Sequence, residues 1–400
     1  MNYQFRNEVR NAKKAAMGEM FNLAKENMKP GDKLINFASG HPDTEVFQDE
    51  MIKKYMNLAM DEAEKDILQY GAHAGYMPLR KAFINFINQK GDIVKSDNDL
   101  IITYGACEAI FLTASSLINP GDKVVVEVPS YVNAIKAFQI LGAKAIGVHM
   151  ESDGVNLEEL EKTMQSGVKL FYTVPNFGNP SGITMSHEKR RAVYDLSVKY
   201  HVPVLEDNSY GDLRYRNERI PSIKEFDTEG SVIYVGSMSK LIAPAMRIGY
   251  MVAQEEFINR IIPIKAVSTN GVTSIIQYAL WRMFEENNMY AQIQKISNVY
   301  AKKLFLMEES MDQYFPESVK HSAPDGGMYM WVTLPEGADV EKFCKESAAQ
   351  LHIPITPGNG FCVIEPEKCT SMRFNFVKES MEDIAYGIEK VGRLMKCYQF

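Results

Sequence analysis

The chain has 400 residues, 46% of them hydrophobic and 24% charged, an ordinary globular composition and length enough for about two or three domain-sized units. Its 44 Lys and Arg against 51 Asp and Glu give a net charge of −7 with no block of like charge, which argues against nucleic acid and anionic membranes as partners. Cys107, Cys344, Cys362, Cys369 and Cys397 lack CxxC or metal-finger spacing, so reduced thiols in a cytoplasmic protein, and no metal, are expected.

Residues 1–26 are charged and amphipathic without an apolar core of signal-peptide length, and no run of about 18 apolar residues follows, so no membrane anchor is expected. Asn36 to Pro42 reads as an extended segment entering a site. From about Leu100 to Gly249, short apolar runs alternate with helix-like segments, the pattern of parallel strands joined by crossover helices. The expected strands are Leu100 to Thr103, Lys123 to Val128, Lys169 to Val174, Val202 to Leu205 and Ser231 to Val235. Beyond about Met283 the texture changes: Asn287 to Gln313 reads as one long helix, and residues 326–335 and 369–377 read as strands of a second, α+β unit. No internal repeat or low-complexity tract interrupts this order.

In an open parallel sheet, ligands sit at the carboxyl ends of the strands, so the informative residues lie just past each run. Gly105-Ala106-Cys107 opens an apolar helix and offers free backbone N–H groups to an anion; a tight turn into a packed helix is the other reading. Tyr131 follows the second run, as a plate for a planar ligand or as a core tyrosine. A turn-forming cluster around Asn179 follows the third. Asp207 and Tyr210 follow the fourth, with a helix N-cap as the alternative for Asp207. The fifth leads into Ser237-Met238-Ser239-Lys240 with Arg247 seven positions on, and a solvated loop lysine does not account for the flanking serines and arginine. An amine, an acid, a phenol, an aromatic plate and an anion cradle at one edge match the needs of pyridoxal phosphate: a lysine for its aldehyde, an acid for its ring nitrogen and donors for its phosphate.

The sequence resembles the fold type I pyridoxal phosphate enzymes of the aspartate aminotransferase superfamily, and within it the kynurenine/α-aminoadipate aminotransferase-like subgroup. The motifs stand in the family's order over nearly the whole chain: Gln69-Tyr70, Gly75 to Arg80, Tyr131, Asn179-Pro180-Ser181-Gly182, Asp207 to Tyr210, Ser237 to Lys240, Arg247-Ile248-Gly249, Gly326-Gly327-Met328 and Arg373. The resemblance implies an α/β large domain, residues 45–285, with a mainly parallel seven-stranded sheet flanked by helices. It also implies a smaller α+β domain, residues 286–400, joined by the N-terminal segment 1–44 at the active-site entrance.

Residue by residue, the resemblance implies that Lys240 carries the cofactor as a Schiff base and moves protons in the reaction, that Asp207 pairs with the ring nitrogen, and that Tyr210 and Asn179 donate to the ring's phenolic oxygen. Tyr131 would stack on the ring. Ser237, Ser239, Arg247, the backbone N–H groups of Ala106 and Cys107, and Tyr70 from a neighbouring subunit of a homodimer would hold the phosphate. The family often has a hydroxyl residue where Ala106 and Cys107 stand, so one phosphate hydrogen bond is expected to be missing, and Cys107 reads as a small buried side chain. Arg373 would bind the substrate α-carboxylate two-point, with a structural ion pair as the rival reading; Asn179 would share that carboxylate, and Gly40 would let the N-terminal segment lie close to the substrate.

The function implied is transamination: an L-amino acid gives its amino group to a 2-oxo acid in a ping-pong course, with glutamate and 2-oxoglutarate as one pair. A β-lyase on the same scaffold and a non-catalytic sensor domain are the alternatives; an arginine fixing the carboxylate argues against its loss, and acidic charge with only 44 residues ahead of the large domain argues against a DNA-binding sensor. Arg6 and Arg10 read as a solvated helix face rather than a distal-carboxylate site, which leaves aromatic, branched-chain and aminoadipate-like donors open.

Overall fold

The structure, a computed structural model, describes residues 3–10, 16–63 and 65–398, so part of the expected approach segment from Asn2 to Phe21 lies outside the described residues. Eight strands form the larger sheet: β1 (Asn98–Thr103), β2 (Lys123–Val128), β3 (Lys144–Glu151), β4 (Gly154–Val155), β5 (Leu170–Thr173), β6 (Val204–Asp207), β7 (Val232–Ser237) and β8 (Gly249–Gln254). Their spatial order is β1-β8-β7-β6-β5-β2-β3-β4. The run β7-β6-β5-β2-β3 is parallel, and β8 is antiparallel to both its neighbours. The seven expected strands are thus joined at one edge by a two-residue eighth, β4, which turns back on β3.

Alternation decides which side chain enters which layer. Val124 and Val126 of β2 point into the larger apolar core with Tyr172 and Leu205, while Val125 points into a second core with Phe171 and Val204. Both faces are therefore covered, by helices such as Gly105–Leu117 on β8 and Leu157–Gln165 on β3, which is why these strands read as unbroken apolar runs.

One strand is displaced from its expected position. Pro203 has no N–H for the ladder, so β6 begins after it, at Val204, and runs to Asp207, whose partner in register is Val235. Asp207 is thereby the last residue of a strand, and the helix N-cap alternative falls. Strands β3 and β8 are not among the five runs read from the sequence; they complete the seven that the resemblance implies.

A second sheet, in the order β11-β12-β10-β9, is formed by β9 (Lys320–His321), β10 (Tyr329–Thr333), β11 (Thr356–Pro357) and β12 (Ser371–Asn375), with antiparallel pairing throughout. The expected long helix is Met289–Tyr314, and it packs against the C-terminal helix Met381–Cys397. The N-terminal segment crosses to this sheet, where the Asn375 N–H donates to the Phe37 carbonyl at 2.8 Å. Among the described residues no helix is long and apolar enough to cross a membrane.

Candidate active site

Every site residue expected from the sequence except Tyr70 lines one cleft of about 2120 Å³, at the carboxyl ends of the parallel strands. Tyr70 stands apart on the surface, 82% exposed.

At the floor, β6 delivers Asp207 in a fully covered position. Tyr172 Oη donates to Asp207 Oδ2 at 2.9 Å, and the N–H and hydroxyl of Ser209 donate to Oδ1 at 3.1 and 2.6 Å. Burial pushes the carboxyl above its ordinary pKa, and the donors from Ser209 and Tyr172 only partly oppose that. Tyr210 is buried beside it, and burial, with Tyr329 close by, raises the phenol well above its ordinary pKa. Asn179 Nδ2 donates to Tyr210 Oη at 3.4 Å.

At one end of the cleft the helix Gly105–Leu117 begins without a side-chain cap, leaving its first N–H groups available. Gly105 has φ +72°, and a Cβ there would come within 3.0 Å of Arg247 Nη2. Gly249 of β8 lies against Gly105 so closely that a side chain would meet its backbone at 2.7 Å; the helix start can only sit on this strand because both positions lack Cβ. Arg247, itself at φ +52°, donates to the Tyr104 carbonyl at 3.0 Å and to Ser239 Oγ at 3.5 Å, and the Ser239 N–H donates to Ser237 Oγ at 3.2 Å. A guanidinium, two hydroxyls and a helix N-terminus converge there as an anion cradle.

Cys107 corrects an expectation: it is exposed rather than buried, because the first helical turn faces the cleft, and its Sγ lies 3.5 Å from Tyr131 Oη. Tyr131, held by Asn133 Nδ2 at 3.0 Å, has its phenol raised well above the ordinary pKa, mainly by burial.

Between floor and cradle, Lys240 Nζ donates to the Gly40 carbonyl at 3.0 Å, which ties the N-terminal segment to the lysine loop. Burial, then the charges of Lys240 and Lys378, hold the neighbouring His41 below its ordinary pKa. On the opposite wall Arg373 of β12 is 4% exposed; Nη1 donates to Asn179 Oδ1 at 2.9 Å and Nη2 to the Ala38 carbonyl at 3.0 Å. Its guanidinium lies 4.2 Å from the Tyr329 ring centre and 5.2 Å from that of Phe361. Arg6 is not part of the cleft wall and pairs with Glu8 at 3.4 Å.

The family model for class I and II aminotransferases matches residues 32–391. The chain belongs to this family. An aromatic-amino-acid aminotransferase of Thermococcus litoralis is 34% identical over 91% of this chain and 88% of its own. Among solved structures, a multiple-substrate aminotransferase of Thermococcus profundus superposes with a TM-score of 0.92 at 32% identity, covering 98% of this chain and 97% of its own. A kynurenine aminotransferase of Pyrococcus horikoshii, whose structure holds pyridoxamine phosphate and kynurenine, superposes with a TM-score of 0.93 at 30% identity, covering 99% and 98%.

This aminotransferase uses pyridoxal 5′-phosphate. The cleft suits that cofactor by its own chemistry. Asp207 is a buried acid held by neutral donors, and a protonated ring nitrogen would offset its burial; the Arg247 cradle suits a phosphate dianion, and Lys240 supplies an amine between them.

The sequence reading missed Tyr172, Ser209, Tyr329 and Phe361 as members of the site. Tyr172 was detectable only with strand order in hand: it pairs in parallel register with Leu205, so period-two alternation puts its ring on the same face as Asp207.

Proposed function

We propose that the enzyme transfers the amino group of an L-amino acid to 2-oxoglutarate, and the reverse from glutamate, in a ping-pong course at a single carboxylate clamp. The observation that carries this reading is Arg373: a nearly buried guanidinium aimed, with Asn179, into the cleft that holds Lys240 and Asp207. One clamp beside one amine serves an amino acid and a 2-oxo acid in turn, since both present the same α-carboxylate.

Bound pyridoxal phosphate supplies an aldehyde that condenses with amines and a conjugated ring that accepts the electron pair left when the substrate Cα–H bond breaks. The protein does the rest. Arg373 and Asn179 hold the α-carboxylate and so fix which Cα bond is presented to Lys240. Lys240 Nζ takes the proton from the substrate Cα and would deliver it to the carbon of the cofactor's former aldehyde, serving first as base and then as acid, so that the amino acid leaves as a 2-oxo acid. Asp207 keeps the ring nitrogen protonated, Tyr210 and Asn179 donate to the phenolic oxygen, and Tyr131 covers the ring face. Ser237, Ser239, Arg247 and the N–H groups of Ala106 and Cys107 hold the phosphate. The carboxylate stays bound to a cation throughout, which disfavours its loss as carbon dioxide.

For the donor we propose large apolar side chains, aromatic ones first. Phe361 and Tyr329 flank the Arg373 guanidinium, and relatives named for aromatic amino acids and kynurenine support this choice. Tyr70, exposed and not among the residues lining its own cleft, would reach the phosphate of a second copy in a homodimer.

The test is a panel of amino donors with 2-oxoglutarate and the purified holoenzyme, reading glutamate formation. Aromatic donors should give the highest kcat/KM, with parallel double-reciprocal lines. Intersecting lines would refute the ping-pong course, and release of ammonia without an acceptor would favour a lyase.

A further inference from the structure

Between β11 and β12 the chain leaves the second sheet, runs along the outer wall of the cleft and returns. Pro357 pairs with Met372 and Thr356 with Arg373, so the residues beyond are folded back on one another. The loop is built from two short 3₁₀ turns that pack together, Gly358–Phe361 and Pro366–Lys368, and each is closed by a cysteine. The Cys362 N–H donates to the Asn359 carbonyl at 3.2 Å, and the Cys369 N–H to the Pro366 carbonyl at 3.3 Å.

The packed turns set both cysteines on the same stretch of cleft wall: Cys369 Sγ lies against Gly358, the first residue of the turn that Cys362 closes, 2.8 Å from where a Cβ there would stand, and both cysteines are partly exposed. Cys344, by contrast, is fully buried. We propose that Cys362 and Cys369 form a reversible disulfide at the cleft mouth, made by exchange with a low-molecular-weight disulfide, and that the oxidised enzyme binds its amino acid more weakly.

The exchange balances without any further reactant. The Cys369 thiolate attacks one sulfur of R–S–S–R, and the expelled thiolate takes up a proton as RSH. Cys362, on losing its proton, attacks the Cys369 sulfur of the mixed disulfide and expels the second RSH. Two protein thiols are oxidised to one disulfide, and one small disulfide is reduced to two thiols. Cys369 is the attacking sulfur because the neighbouring Cys362 lowers its thiol to about 7, whereas Cys362 is raised.

A bonded pair needs its sulfurs about 2.05 Å apart, inside the contact distance of two free thiols, so the two turns must move together. The movement reaches the clamp from both ends. Phe361, adjacent to Cys362, lies 5.2 Å from the Arg373 guanidinium, stacks edge-on against Trp331 at 5.9 Å and accepts the Ser130 N–H at 2.9 Å. Cys369 lies four residues before Arg373, with its Sγ 3.8 Å from the Ser371 carbonyl. The effect on binding rests on the proposed role of Arg373; the disulfide itself does not.

The test uses reduced holoenzyme incubated with oxidised glutathione, then alkylated, digested and mapped by mass. A Cys362–Cys369 linked peptide should appear and vanish with dithiothreitol, while KM for the amino donor rises about tenfold, the scale on which ångström displacements of a substrate clamp act. Cys362→Ser should instead leave Cys369 as a stable glutathione adduct. Each protein is compared with its own reduced form, so any change in reduced activity does not enter. Alkylation of both cysteines after oxidation, or glutathione on both without a link, would overturn the disulfide. A linked peptide with unchanged KM would overturn its effect on binding alone.

Discussion

Arg373 donates through Nη1 to Asn179 Oδ1 at 2.9 Å, joining positions 194 residues apart. The contact bridges the second sheet and the loop after β5, and it fixes the guanidinium at the cleft wall. Arg373→Lys keeps the charge but loses the planar fork. KM for the amino donor should rise about 10- to 100-fold, the scale of about 1.5–3 kcal/mol for charge-assisted hydrogen bonds, with cofactor affinity unchanged. Steady-state kinetics beside a cofactor titration separates the two, and an unaltered KM would remove Arg373 from the clamp.

Lys240 is tied to the Gly40 carbonyl, a contact too small to matter for folding. Lys240→Ala should therefore melt within a few degrees of wild type, by about 1 kcal/mol or less for one lost hydrogen bond, while losing the visible absorbance of bound cofactor and all measurable turnover. Undiminished transamination by this variant would overturn the whole assignment.

Asp207→Asn should act in opposite directions on the two forms of the protein. Burial raises the Asp207 carboxyl, so in apoprotein its contribution to stability is present at low pH and is lost as pH rises through the folded pKa. The asparagine apoprotein should accordingly be the more stable one at alkaline pH. With cofactor bound the order should reverse, and turnover should fall roughly 100-fold or more, as for loss of one preorganised charge contact. Thermal melts of both forms against pH check this; parallel behaviour of apo and holo forms would contradict the role.

Glu127 lies on β2 beneath the site, accepting from Thr173 Oγ1 and from the Val174 N–H at 3.2 Å, and burial pushes its carboxyl up to about 7 from an ordinary 4.5. The unfolded chain releases this proton near 4.5 and the folded chain near 7, so the stabilisation is complete below the first value and lost through the second. The loss is on the order of 3 kcal/mol. Glu127→Gln cannot ionise, and its urea midpoint should fall less than that of wild type between about pH 5 and about pH 8. Equal pH dependence in the two proteins would refute the assignment.

In the proposed homodimer Tyr70, 82% exposed on its own chain, would serve the site of a second copy. Tyr70→Phe should weaken cofactor binding about tenfold, as expected for one hydrogen bond to a charged group, without changing the elution of a dimer on size exclusion. Monomeric wild-type enzyme with full cofactor affinity would exclude the role.

The chemistry of this protein was written locally. Lys240 between Ser237, Ser239 and Arg247, and Asp207 near Tyr210, stand within a few residues of one another, because each strand end delivers a short loop to the same edge. The strands β2 and β5 were equally legible as short apolar runs, which are buried almost end to end because both faces of the sheet are covered. What the sequence could not hold was the meeting of distant groups. Tyr172 joins Asp207 only because β5 lies beside β6; Cys107 faces the cleft because its helix starts on Gly249; the packing of the turns closed by Cys362 and Cys369 needs β11 paired with β12. Strand order and register are set by burial of whole faces, a property summed over the entire core, so they leave no mark on any one residue. The sequence by itself pointed to the cofactor and singled out Lys240 as the candidate amine, and the tertiary structure alone decided which side chains surround that amine, because packing rather than local chemistry brings them there.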